Sequence, residues 1–165
     1  MTVFSSVKAR PITCDETSGS LDRSNTARVI GQFAAVIEGP RYVADVHGTY
    51  CNVFAWDATK ALGCEIPHWW DGIEMTANAM EAWLALHGDA HGWMESTRMT
   101  AENDARRGLP VVMTASNQHG HGHIAIGYLG PSGLFTVAQA GRINFIKGTV
   151  ERAFGGIIPK FWVHE

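Results

Sequence analysis

A chain of 165 residues makes one ordinary domain, long enough to bury a full core without disulfide or metal staples. With 45% hydrophobic residues, 18% charged residues and a formal charge of -3, it lacks the basic excess that nucleic acid or an anionic membrane surface demands. Its three cysteines, Cys14, Cys51 and Cys64, show no CxxC spacing and make neither a disulfide framework nor a zinc ribbon; no stretch approaches the roughly 18 consecutive apolar residues of a membrane span.

Residues 1–23 are polar and aperiodic and lack the apolar run of a secretory signal peptide, so they read as an arm ahead of a single domain over residues 24–165. Ser24 is placed to cap a helix running to about residue 38, with Val29, Ile30, Phe33 and Ile37 at helical spacing and Gly39-Pro40 as its stop. Residues 50–62 predict a second helix, closed by Gly63. Residues 66–72 hold Pro67, His68, Trp69 and Trp70 and read as an aromatic loop. Asn78 and Glu81 have the spacing of a capping box, ahead of Met80, Trp83, Leu84 and His87 on one helical face and Gly88 at its end. Thr100 is the expected cap of a short helix that finishes on Arg106 and Arg107, before Gly108 and Pro110.

Beyond Pro110 the pattern changes to β-type runs at residues 111–114, 123–129, 134–139, 144–146 and 161–164. Helices first and strands second predict an α+β fold, with the N-terminal helices packed on one face of an antiparallel β-sheet. No internal repeat or second domain is visible.

Within GTYCNVFAWDATKALG, Cys51 stands where a helix begins. Unpaired N–H groups and the partial positive charge of a helix N-terminus favour thiolate over thiol, and the same groups can hold a developing oxyanion. Together with a histidine they are expected to hold the thiol below its ordinary value of about 8.5. The competing reading is a buried cysteine acting as a small hydrophobe. In GHGHIAIGYLG, His123 opens a half-buried strand, which suits it as the base of a Cys–His pair. Asp57, nearly opposite Cys51 on its helix, is assigned to structure, as are Cys14 and Cys64.

The segments TYCNVFAWDATKALG, GLPVVM, GHGHIAIG and FTVAQAG, in that order over roughly residues 45–141, resemble the NlpC/P60 and CHAP families of papain-like peptidoglycan hydrolases. Type VI secretion amidase effectors share that core, and the C-terminal AQAGRINFIKGTVERAFGG is similar to phage and bacterial cell-wall hydrolases. The resemblance implies Cys51 as nucleophile, His123 as base and Gln139 as the polar residue that orients the imidazole. Many NlpC/P60 members carry His at the third position. Tyr50 stands where the family often has Asp or Gln. Tyr50, Asn52 and His121 are the expected neighbours of the substrate.

His119, His121 and His123 alternate and could together bind zinc, with Cys51 or His91 completing the shell, although no carboxylate or CxxC accompanies them. Trp69 and Trp70 are either core anchors or one wall of a substrate cleft. The expected activity is amide hydrolysis in peptidoglycan stem peptides or cross-links, with no cofactor and no nucleic-acid partner. The resemblance implies synthesis without a signal peptide, action in the cell wall after holin release or secretion-system delivery, and an immunity protein if the chain is an effector. Two rival expectations are a papain-like deamidase or transglutaminase-type toxin acting on protein Gln, and a non-catalytic peptidoglycan-binding domain.

Overall fold

In the computed structural model, which describes residues 26–165, the chain forms an α+β fold built on a six-stranded antiparallel sheet. The polar arm, Cys14 and the Ser24 cap lie outside the described residues. Helix α1 (Thr26–Gln32) is shorter than its periodicity suggests; it tightens into a 3-10 turn at Phe33–Ala35, yet Ile30, Phe33 and Ile37 are all buried. Helix α2 (Cys51–Ala61) follows the expected bounds closely, and Gly63 adopts the left-handed φ of 72° that ends it.

Two short strands, β1 (Trp69–Trp70) and β2 (Ile73–Glu74), replace the expected aromatic loop. The turn between them is Asp71-Gly72, with φ of 50° and 76°, a dipeptide suited to the left-handed backbone of a two-residue hairpin. Helix α3 (Ala77–His87), strand β3 (Trp93–Ser96) and helix α4 (Arg98–Arg106) come next. Thr76 and Thr97 cap the two helices, their hydroxyls accepting from the N–H of Ala79 and Thr100, so neither Asn78 nor Thr100 is the cap.

Strands β4 (Val111–Ala115), β5 (His123–Leu129), β6 (Phe135–Gln139) and β7 (Phe145–Gly148) form a meander; helix α5 (Val150–Phe154) leads to β8 (Lys160–His164). The order across the sheet is β3-β8-β4-β5-β6-β7.

The sheet is covered on both faces, which corrects the expectation of helices on one. Val112, Ile124, Ile126, Ala138 and Trp162 point into a core shared with α1, α2 and α3. The alternate residues Val111, Met113, Ala125, Val137, Phe161 and Val163 pack on Ala101 and Ala105 of α4 and on Val150 and Phe154 of α5. Near-continuous apolar runs such as VVM and IAIGYL belong to strands buried on both sides. The second layer escapes a sequence reading because α4 buries only two alanines under an otherwise polar surface.

Asp57 holds α2 in place from its second turn, as expected of a structural residue. It is buried and accepts from Arg41 Nε at 2.6 Å, Arg41 Nη2 at 2.8 Å and the Tyr42 hydroxyl at 2.6 Å. Burial, reinforced by the Asp57 carboxylate, holds the Tyr42 phenol well above its usual range. Among the described residues no helix is long and apolar enough to cross a membrane.

Candidate active site

Cys51 occupies the first position of α2, behind an N-cap residue, Tyr50, whose side chain makes no capping bond. The sulfur instead lies within reach of hydrogen bonds from the backbone of Ile124, Asn52 and Cys51 itself and from the Thr49 side chain. Ile124 is one residue past His123, so the sulfur lies by the start of β5. Cys51 is 4% exposed, and burial pushes its thiol up from the ordinary value, while the four hydrogen bonds pull it part of the way back. The expected low-pKa thiol is therefore corrected: desolvation outweighs the helix terminus in the free protein. Iodoacetamide should accordingly label Cys51 slowly at pH 6.5, its rate climbing only above the ordinary thiol range, as followed by mass spectrometry of Cys51 peptides; fast labelling at pH 6.5 would overturn this.

His123 opens β5 and is half-buried, with its Nε2 at 2.6 Å from Gln139 Oε1. The orientation of that amide is fixed from its other end, where Gln139 Nε2 donates to the Ile143 carbonyl at 3.0 Å. A carbonyl only accepts, so the Gln139 nitrogen must face Ile143 and its oxygen must face the imidazole. Nε2 then carries the ring proton, and Nδ1 is left with the lone pair of a base. Ile143 is held in turn by its neighbour Asn144, which accepts from the Gly141 N–H at 2.9 Å and donates to the Ile37 carbonyl at 2.8 Å. Phe154 of α5 meets the imidazole edge-on at 5.1 Å. Burial lowers the His123 pKa and the Gln139 bond raises it, with burial the larger effect. At neutral pH thiol and imidazole are thus both uncharged.

A second support comes from α3. Asn78 pairs with residue 117 as another strand would, accepting from the Asn117 N–H at 2.9 Å and donating to the Asn117 carbonyl at 3.0 Å and to that of Gly120 at 3.0 Å. Glu81, one turn on, accepts from the Ser116 N–H at 3.0 Å and the Ser116 hydroxyl at 2.9 Å. The capping-box spacing is therefore a clamp on the loop that delivers His121 and His123. Gly122 lies so close beneath it that an added Cβ would come 2.2 Å from Asn78 Oδ1, which explains a glycine between those histidines.

Cys51, His123 and Gln139 line one cleft of about 800 Å³ with Tyr50, Asn52 and His121. The Tyr50 hydroxyl is held by Asp45 at 2.6 Å, and Asn52 Nδ2 by the Met75 carbonyl at 2.9 Å. Trp69 and Trp70, expected either in the core or on the cleft wall, are not among the residues that line this cleft. Trp69 is 51% exposed on the hairpin, and Trp70 packs on Trp83, His87 and His91. His119 is exposed in the turn ahead of β5 and is not among the residues that line the cleft. Among the described residues, no three His, Cys, Asp or Glu side chains come together as a metal cluster. Cys64 is buried.

Asn78, Glu81, Ile143 and Asn144 were not singled out for these roles by the sequence. Only the i, i+3 spacing of Asn78 and Glu81 gave a signal, and it fits a helix cap equally well. No protein-family model matches the chain, and no curated protein matches it.

Proposed function

We propose that the chain is a papain-like cysteine hydrolase that cleaves amide bonds in bacterial peptidoglycan stem peptides or cross-links. The observation that carries this reading is a thiol at a helix N-terminus and an imidazole oriented by Gln139, both opening on one cleft. The peptidoglycan substrate rests on the resemblance of the Cys51, His123 and Gln139 segments to NlpC/P60 and CHAP hydrolases.

The chemistry follows from two neutral groups. As substrate displaces water, the Cys51 proton passes to His123 Nδ1 while sulfur attacks the amide carbonyl. Negative charge on the carbonyl oxygen falls to N–H groups at the start of α2. The imidazolium, held in register by Gln139, gives its proton to the leaving amine, and a thioester remains. Water, with His123 again as base, splits the thioester, releasing a carboxylic acid and restoring the thiol. Since burial lowers the His123 pKa, its basic form persists below the ordinary histidine value of about 6.5, so activity should hold into mildly acidic solution.

Purified sacculi give the test. The wild-type protein should release soluble fragments and generate one new amino group for each bond cut. Ammonia without solubilisation would mark a deamidase, and binding without product a binding module; either result removes the hydrolase reading.

A further inference from the structure

The charges along the cleft are unevenly matched. On the α2 side, Asp45 accepts from the Tyr50 hydroxyl and the His47 N–H, and Glu74 faces His68 Nε2 at 2.9 Å. Both cleft carboxylates therefore already have donors within the protein. On the far side, Arg142 and Arg152 also line the cleft, and among the described residues neither guanidinium has an acid partner. The acid next to Arg152 is committed elsewhere, since Glu151 pairs with Arg98 at 2.8 Å. Arg152 is also held in position, its guanidinium carbon 4.4 Å from the Phe145 ring centre, which leaves its donor edges for a ligand. A chain of net charge -3 thus presents two uncompensated positive groups in its candidate active cleft.

Their place relative to the base is fixed by neighbours. Arg142 sits between Gly141, where an added Cβ would be 3.6 Å from the His123 ring, and Ile143, whose carbonyl holds Gln139. Arg152 is two residues before Phe154, the ring that edges His123. Both arginines therefore belong to the imidazole side of the cleft, and the imidazole is the group that hands a proton to the departing amine.

We infer that Arg142 and Arg152 form a carboxylate subsite for the leaving half of the substrate. The inference rests on the hydrolase reading above and narrows it: the bond cut is an amide whose nitrogen belongs to a residue carrying a free carboxylate, terminal or on its side chain. Hydrolysis then yields an acid from the acyl half and an amino acid or peptide with its carboxylate intact. A planar guanidinium suits that group because it donates two parallel hydrogen bonds to one carboxylate.

Muropeptides with native carboxylates, and the same muropeptides amidated by carbodiimide and ammonium, supply the test. Wild-type kcat/KM should drop by about tenfold or more on amidation, the scale of one charge-assisted pair. An Arg142→Ala/Arg152→Ala double variant should lose about as much on native muropeptides and be indifferent to amidation. Partial amidation with mass spectrometry of the products identifies which carboxylate, terminal or side-chain, blocks cleavage when capped. Equal wild-type kcat/KM on both preparations overturns the subsite, as does sensitivity confined to carboxylates of the acyl half.

If wild type cleaves neither preparation, the hydrolase reading has failed, and the subsite is judged by calorimetric titration of the Cys51→Ala protein. Tighter binding of native than amidated muropeptides, lost on adding the two arginine substitutions, upholds it. Equal binding, or none, overturns it.

Discussion

Replacing Cys51 by alanine is expected to slow the release of amino groups from sacculi by about ten-thousand-fold or more, and His123→Ala by a similar factor, because nucleophile and base fail as one unit. Gln139→Ala should cost less, about ten- to a hundredfold, since it removes the group that fixes the tautomer and leaves Nδ1 chemically able to accept a proton. Its product should also show more mobile imidazole resonances, a signature a purely structural loss elsewhere would not give. Excess EDTA should leave digestion intact and His119→Ala should be nearly silent, because neither touches the acyl-enzyme cycle. Full activity in Cys51→Ala, or activity that disappears with a bound metal ion, would end the thiol mechanism. The comparison is clean because Cys51 is a small buried side chain and its exchange for alanine removes only the sulfur.

The largest effect on stability is expected at Asp57. Alanine there takes the buried carboxylate from the Arg41 guanidinium and the Tyr42 hydroxyl; the cost should be about 3–5 kcal/mol. That corresponds to a fall in Tm of about 10 °C for a domain of this size. Tyr42→Phe, which keeps the ion pair and drops one hydrogen bond, should cost about 1 kcal/mol. Urea denaturation of the two variants measures both, and a loss under about 1 kcal/mol for Asp57→Ala would show that the pair merely offsets its own desolvation. The result bears on the candidate site as well, because Asp57 anchors the helix whose first residue is Cys51.

How much was legible in the sequence depended on whether a signal was local. The bounds of α2 and β5 could be read because Gly63 stops one helix and an apolar run begins after His123, although that run is buried on both faces rather than half-buried. These two elements carry the thiol and the imidazole, so the candidate pair was visible early. The hairpin at residues 69–74 escapes a sequence reading although Asp71-Gly72 suits its turn, because each of its strands is only two residues long and shows no periodicity. Asn78 and Glu81 have the right spacing for a cap, and only the fold shows their partners, Ser116, Asn117 and Gly120, nearly forty residues away in sequence. The direction of the Cys51 shift was lost for a related reason. A helix terminus can be read from a sequence, whereas the desolvation that opposes it comes from side chains gathered across the whole core.

Strand β8 lies between β3 and β4, so it joins the part of the sheet that precedes α4 to the meander that follows it. During synthesis on the ribosome β3 has no sheet partner until residues 160–164 emerge, and the meander must wait with one bare edge. Both neighbours of the gap then close on a strand that brings Trp162, whose indole N–H seeks the Thr114 hydroxyl at 2.9 Å. The order of emergence makes a vacant slot a necessary stage in the life of the nascent chain. It also makes the exposed turn at residues 155–158 a natural seam: a chain cut there has a strand-shaped gap that a separate peptide of residues 159–165 is cut to fill, which offers a way to complete the fold by complementation.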